Sequence, residues 1–586
     1  MGRFGALRLV FLMTAIALIV GIARPAAADG PATILDGNHP DEAADIVGAS
    51  AASVSQPLAM RLTMALRNRD DLARLLADQQ DPSSAQYHRW LTPEAFTSRF
   101  GPTAADLARV TRWLKKKGFT VKSANASTRE VSFTGSVARA QNVFGVKIAA
   151  STDGHLYSNT SDPTMPAELA PVVESIHGLD NLLHSTPLAH RVSKPASGAS
   201  LPASVVNSAG PAFGPTDIYT FYNETPLLNS NIDGSGNGCI AVVEDSNIDQ
   251  PAADAFNTQF GLPAMTGSNF STVLVDGTDP GQNADGDETM VDVNYAHAVA
   301  PGSSIRMYLG DQSHTSSEAI LDAIHAAVTE TNNPCSAVSI SFSFCGGGKG
   351  FYRTQDGFFA QAAAQGQSVF VATGDFGSAG VKLNNKGSCV IGTSRSVNEI
   401  GASPNVTAIG GTEFSPDYSG GDDVGSVSER VWNDGGGAAG GGQSKFFKKP
   451  AFQKGLIKKD KMRDVPDISF GASPDTPGFF FGGHDSKTGA PAVVCCIGGT
   501  SVGAPAWAGI SQLISQSNGA PIGNLNARIY QLGAEANGAT TGIRDVTSGN
   551  TNFHGVKGFS AKTGYDRASG WGTIDMGLFV PAFLGP

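Results

Sequence analysis

The stretch Gly498-Gly499-Thr500-Ser501-Val502-Gly503-Ala504-Pro505 sets one serine behind two glycines and ahead of apolar residues at Trp507, Ile510, Leu513 and Ile514. That apolar spacing predicts a buried helix, so Ser501 stands at a loop-to-helix junction beside free backbone N–H groups. Such a place suits a nucleophile that must also stabilise an oxyanion. Taken alone, the same octapeptide reads more readily as a plain helix N-cap. A nucleophilic serine needs a base, and the eleven histidines offer no obvious one: His297 and His325 fall inside apolar patterns and read as core or surface residues. Carboxylates stand out instead. Glu288 and Asp292 in Asp285-Gly286-Asp287-Glu288-Thr289-Met290-Val291-Asp292 are four apart and share one face of a helix. Like charges at that spacing repel unless they share a proton or meet a partner, and sharing raises one pKa. An isolated Glu-x-x-x-Asp also describes a solvated helix face. A third carboxylate, Asp375 in Val371-Ala372-Thr373-Gly374-Asp375-Phe376-Gly377, follows a strand in a glycine-flanked turn, where it could simply cap its own loop. Glu244 and Asp245 also follow a strand; Asp245 reads as a turn residue or part of a substrate rim.

The surrounding chain must position these groups. With 586 residues and 41% hydrophobic content it can bury a large core and exceeds one typical domain. Charged residues make up 16%, with a formal net charge of -11, which argues against nucleic acid as a partner. Arg3 and Arg8, an apolar run from Leu9 to Ile22, and Ala26-Ala27-Ala28 have the layout of a secretory signal peptide, residues 1–28. The run is short for a membrane span, so an exported protein, extracellular or periplasmic, is expected and a membrane is not. Six cysteines permit disulfides without dictating their pairing, and no spacing suggests structural zinc.

Residues 29–188 read as an α+β domain: helical spacing over Pro57 to Asp78 and Ala104 to Lys117, then short strands at Phe119 to Val121, Glu130 to Phe133 and Val146 to Ala149. Residues 189–212 read as an exposed linker open to cleavage. Residues 213–586 alternate strand-like apolar runs (Cys239–Val243, Ile305–Leu309, Ala337–Ile340, Val369–Ala372, Val406–Ile409) with helices, one from Ser317 to Thr329 with Ser317 as a plausible cap and one over Asp356 to Gln365. Strands apolar on both faces predict an α/β fold whose parallel sheet is flanked by helices, with the site at the carboxyl ends of the strands.

Together the motifs resemble the sedolisin family of serine-carboxyl peptidases, in particular its kumamolisin-like members. The resemblance rests on Gly499-Thr500-Ser501-Val502-Gly503-Ala504-Pro505, on Glu288 and Asp292 continuing into Tyr295-Ala296-His297-Ala298-Val299-Ala300-Pro301-Gly302, and on Asp375. It extends to Pro404 to Thr412, to Arg463-Asp464-Val465-Pro466-Asp467-Ile468-Ser469 and, in the first domain, to Tyr87-His88-Arg89-Trp90-Leu91-Thr92-Pro93-Glu94. It implies a subtilisin-like catalytic domain preceded by an α+β activation pro-domain. It also implies Ser501 as nucleophile, Glu288 as general base and acid, Asp292 as the residue orienting Glu288, and Asp375 as a neutral acid facing the oxyanion. A carboxylate base works in acid where imidazole is protonated, so an acid optimum is expected. One structural Ca2+ is implied on Asp545 and Asp566, with carbonyls of Val546, Lys562 and Gly564, an all-oxygen set suited to that ion. The resemblance matches Glu244 to a supporting glutamate of the family, and Gly435 to Gly442 to a flexible loop lining the substrate cleft. Ser339-Ile340-Ser341-Phe342 departs from the pattern, with Phe where Trp is common. The function implied is a secreted, self-processing zymogen of an endopeptidase; a tripeptidyl exopeptidase of the same family and a non-catalytic binding protein on this scaffold are the alternatives. Expected partners are protein or peptide substrates and the chain's own pro-domain as intramolecular inhibitor, and a monomer is expected.

Overall fold

The computed structural model describes residues 31–46, 48, 50–191, 212–236, 238–311, 316–414, 428–457, 460–535 and 538–585. The expected signal peptide and most of the linker therefore lie outside the described residues.

Strands in the second half alternate side chains between two cores. Ile240, Val242, Phe370, Ala372, Ile409, Ile468 and Phe470 join one cluster, and Ala241, Val243, Val338, Ile340, Val369, Val371 and Ala408 join the other. A strand apolar on both faces is stable only when both faces are covered. Helices Gly286–Val299 and Gly503–Asn518 supply Val291, Val293, Trp507 and Ile510 to the first cluster, and Ser316–Thr329 and Lys349–Ala364 supply Ile320, Ile324, Phe358 and Phe359 to the second. The result is an eight-stranded sheet in the order Phe270–Leu274, Ser304–Leu309, Cys239–Glu244, Ala337–Ile340, Ser368–Ala372, Thr407–Glu413 and Arg430–Val431, with Ile468–Gly471 also paired to Thr407–Glu413. All pairs are parallel except that of Arg430–Val431. The α/β sheet flanked by helices is thus as expected. Behind it, the buried Arg463 guanidinium pairs with Asp467 (2.8 and 2.5 Å), which also accepts from Ala408 N and Tyr530 Oη. Disulfides join Cys239 to Cys335 and Cys345 to Cys389.

Residues 31–191 form a separate α+β unit around an antiparallel sheet ordered Thr120–Asn125, Glu130–Ser136, Pro57–Met64 and Val173–His177. Pro57–Met64 is a strand, which corrects the helical reading of Pro57 to Asp78; the helix begins only at Arg69. Leu58, Met60, Leu62 and Met64 are buried at alternate positions, and Leu58 with Leu62 satisfies helical spacing as well. Another correction concerns Ser317. It lies inside the Ser316–Thr329 helix, and its hydroxyl donates to Leu183 O (2.9 Å), tying the helix to the first unit. Trp90, from the motif singled out above, donates its indole N–H to Pro521 O (3.0 Å) across the same boundary.

Candidate active site

Ser501 ends the turn before the Gly503–Asn518 helix and is fully buried; Trp507, Ile510, Leu513 and Ile514 behind it are buried as their spacing implied. It is not the N-cap. Glu288 and Asp292 occupy the first two turns of the Gly286–Val299 helix and are also buried, so the solvated-face reading of this pair does not hold. The Ser501 hydroxyl lies close enough to Glu288 to draw its pKa back down, although Ser501 Oγ and Glu288 Oε1 each lack a hydrogen bond of good geometry. Burial, then the charge of Asp292, nonetheless keep the Glu288 carboxyl well above the usual carboxylate range.

Behind Glu288 the acids continue inward. Asp292 Oδ1 accepts from Ser341 Oγ (2.7 Å), and Glu244 Oε2 accepts from Thr289 Oγ1 (3.1 Å). Burial pushes Asp292 up to about 8 against the opposing hydrogen bonds of Ser341, Glu244 and Ser339. Burial, followed by the charges of Asp292, Glu288 and Asp245, pushes Glu244 well above its ordinary value. Removing a carboxylate from water costs several kcal/mol, so uptake of a proton is the cheaper state for such a cluster. One proton between Asp292 Oδ2 and Glu244 Oε1 gives each the partner it otherwise lacks. Asp245 is fully buried and its carbonyl accepts from Asn283 Nδ2 (2.7 Å), so it is an interior turn residue and not part of a substrate rim.

Asp375 sits three residues beyond the Ser368–Ala372 strand, after Gly374 at φ 105°. Its Oδ1 accepts from both Thr500 N (2.8 Å) and Thr500 Oγ1 (2.7 Å). Its Oδ2 lies on the side of Gly499, where a Cβ would stand 2.5 Å from it. The glycine-rich loop expected to be flexible is fastened to this turn: Ala438 N donates to Asp375 O (2.9 Å) and Gly440 N to Gly374 O (2.7 Å). Phe342 leaves no indole near the acids; Ser341 and Ser339 supply hydroxyls there instead.

The cleft already holds a peptide, the end of the first unit. Strand His184–Pro187 pairs antiparallel with Phe342–Cys345, and His190–Arg191 pairs antiparallel with Gly498 and Ile497 on the strand leading to Ser501. Between them Leu188 N (2.5 Å) and Ala189 N (2.6 Å) both donate to Glu288 Oε2. His190 Nε2 lies 3.1 Å from Asp375 Oδ2, and Arg191 Nε lies 2.6 Å from Asp287. The first residues of the predicted exposed linker are therefore threaded through the site, because a cleft built to pair with extended backbone is filled by the nearest chain. Nothing in the types of residues 188–191 announces this.

Over 532 residues the chain is 27% identical to sedolisin of Pseudomonas sp. (strain 101), covering 88% of this chain and 85% of that protein. It is 29% identical over 532 residues to kumamolisin of Bacillus sp. (strain MN-32), covering 86% and 88%. A solved structure of Pseudomonas sedolisin, a serine-carboxyl proteinase complexed with two molecules of pseudo-iodotyrostatin, superposes with a TM-score of 0.51 at 26% identity over 63% of this chain and 97% of that one. Residues 44–182 match the family model of the pro-kumamolisin activation domain. These likenesses support a kumamolisin-like protein of the sedolisin family. The unit whose end fills the cleft is the one that carries the activation-domain match.

The C-terminal loops link two of the expected calcium ligands, Asp545 and Asp566, through the backbone of Lys562 and Gly564. Gly564 N donates to Asp545 Oδ2 (2.8 Å), and Lys562 N donates to Asp566 Oδ2 (2.7 Å), so one short loop bridges both carboxylates. Burial raises the pKa of each, and neither has an ion pair among the described residues. The groups set against the two carboxylates are backbone N–H donors of Lys562, Gly564, Ala568 and Ser569, while carboxylate oxygens are ligands of the kind a hard cation takes. No group of three His, Cys, Asp or Glu side chains able to hold a metal occurs among the described residues, so such an ion would depend on carbonyls.

Proposed function

We propose that this sedolisin-family peptidase is the zymogen of an exported, acid-acting endopeptidase that matures by cutting itself. The observation that carries the reading is one buried line of groups, from the Ser501 hydroxyl through Glu288 to the Asp292–Glu244 pair, with the Asp375 acid across the cleft. Ser501 is the nucleophile. Glu288 takes its proton as the hydroxyl attacks a peptide carbonyl and returns it to the departing amine. Asp292, oriented by Ser341 and sharing a proton with Glu244, presents Glu288 to the serine. Protonated Asp375 donates from Oδ2 to the oxyanion, a role open only to a neutral acid.

Calcium would be held by the Asp545 and Asp566 carboxylates with the carbonyls of Val546, Lys562 and Gly564. Its contribution would be to neutralise the two carboxylates and tie the C-terminal loops together.

The test is a pH series on purified zymogen with casein as substrate, beside Ser501→Ala and Glu288→Gln. Acid-dependent maturation and casein hydrolysis are expected for the wild type only, and the Ser501→Ala zymogen stays unprocessed. Glu288→Gln should lower the rate by about 10²–10⁴-fold, the usual range for a lost general acid–base. Hydrolysis at neutral pH with none in acid would contradict the reading. Cleavage that survives blocking of the substrate N-terminus marks an endopeptidase; its abolition marks a tripeptidyl exopeptidase.

A further inference from the structure

The pro-domain's exit through the cleft has a definite register. We infer that the bond this zymogen cuts to mature is Leu188–Ala189, and that the pocket for the residue on the acyl side accepts an aliphatic side chain of leucine size. The inference rests on the peptidase reading above.

Three observations converge on this bond. First, the segment is held as a strand on both sides of it: His184–Pro187 by Phe342–Cys345, and His190–Arg191 by Ile497 and Gly498. Antiparallel pairing on both flanks leaves Leu188 and Ala189 as the two residues opposite the catalytic turn. Second, Ala189 N lies 2.6 Å from Glu288 Oε2. That nitrogen is the leaving amine if the bond before it breaks, and Glu288 is the group that must protonate it. Third, the Leu188 carbonyl oxygen packs against Gly499, whose φ of 128° and missing side chain leave room for it. A Cβ on Gly499 would collide with that oxygen and would stand 2.5 Å from Asp375 Oδ2. The carbonyl thus shares its niche with the acid assigned to the oxyanion.

The Leu188 side chain is fully buried within the core cluster that contains Phe213, Phe479 and Ile497. Burial in an apolar cluster disfavours a charged side chain there and rewards an aliphatic one. Beyond the bond, Arg191 stacks over Phe481 (4.6 Å) and pairs with Asp287, which anchors the departing side.

The chemistry balances. Ser501 Oγ bonds to the Leu188 carbonyl carbon as its proton passes to Glu288; the Leu188–Ala189 C–N bond breaks as that proton moves to the Ala189 nitrogen. Water then attacks the ester, leaving a Leu188 carboxylate and the Ser501 hydroxyl.

Full-length zymogen is acidified, sampled from the earliest measurable time, and its products read by N-terminal sequencing and intact mass. The earliest large product should begin Ala189-His190-Arg191. In parallel, matured enzyme is given a synthetic peptide of residues 184–193, which should yield a fragment ending in Leu188 and one starting at Ala189. A first cut elsewhere, or a peptide left intact or cut at another bond while casein is digested, overturns this assignment and leaves the peptidase reading standing. Failure to mature together with failure to digest casein overturns both.

Discussion

His190 Nε2 stands 3.1 Å from Asp375 Oδ2, so a pro-segment residue sits against the oxygen on which the oxyanion donor must carry its proton. Burial lowers the His190 pKa, but the Asp375 carboxylate, with Asp434 further off, more than offsets it and leaves the imidazole above its ordinary range. A charged imidazolium held at this oxygen pins the pro-segment against the turn that carries Asp375. The groups facing His190 are Asp375, Asp434 and the edge-on ring of Phe376. His190→Gln removes the cation and with it the ion pair that holds the pro-segment against Asp375, so the restraint on the site is weaker at every pH. The expected outcome is maturation whose pH midpoint moves upward, followed on gels as the half-time of zymogen loss at each pH. A midpoint unchanged or moved downward would show that the imidazole does not restrain the site.

The acid pair inside the site predicts the pH dependence of stability. Asp292 is raised from 3.8 to about 8 by burial. Its folded pKa exceeds its unfolded one, so its contribution is complete below about pH 4 and is lost as pH rises toward about 8. The Ser501→Ala zymogen, which cannot digest itself, should lose thermal stability across that window. Asp292→Asn keeps an acceptor for Ser341 Oγ and removes the titration, so its melting temperature should vary less with pH. Equal pH slopes for the two proteins would remove Asp292 from the account.

Much of this site is legible in the sequence, for reasons that differ by residue. Glu288 and Asp292 are set by helical spacing, Ser501 and Thr500 by one glycine-bounded turn, and Asp375 by its place after a strand. All are local features, and the parallel sheet brings them to one end. Glu244 joins the acids only because the Cys239–Glu244 strand ends beside the Gly286–Val299 helix, a tertiary fact with no local signature. Ser341 likewise becomes a donor to Asp292 only once Ala337–Ile340 is placed in the sheet. His190 is illegible for the same reason, its partner lying far along the chain. Pro57–Met64 was ambiguous on its own terms, since apolar residues at every second position also repeat at every fourth.

The pro-domain is held by a second charged cluster, distant from the site. Arg61 pairs with Glu130 (3.5 Å) and, through Nη2, with Asp322 (3.0 Å), and His325 Nδ1 lies 3.4 Å from Glu130. Burial raises the Glu130 pKa, but the His325 hydrogen bond and charge, then Arg61 and His177, bring it down to about 2. A depressed acid contributes stability above its unfolded pKa, about 4.5, and loses it as pH falls through about 2. The clamp should therefore survive mild acid, after the cleft has become competent. Glu130→Gln in the Ser501→Ala background should lower stability at pH 6, by on the order of 3 kcal/mol at most, with the difference fading toward pH 2. Urea midpoints at the two pH values read this directly, and a constant difference would exclude a titrating clamp.

The C-terminal loops offer the last test. Asp545 and Asp566 are joined through the backbone of Lys562 and Gly564, and both carboxylates are raised by burial with no cationic partner among the described residues. A pair in that state gains from any hard cation that replaces lost water, and a ligand that binds only the folded form stabilises it by about 2.7 kcal/mol at a hundredfold excess over its Kd. Calcium should therefore raise the melting temperature of the Ser501→Ala zymogen, and a chelator should reverse the gain. Asp545→Asn with Asp566→Asn should abolish the response and leave an apo protein no less stable, since the substitution removes two uncompensated charges. Magnesium, which demands a tighter octahedral shell, should substitute poorly. A calcium response that persists in the double variant would move the ion elsewhere, and no response in either protein would remove it.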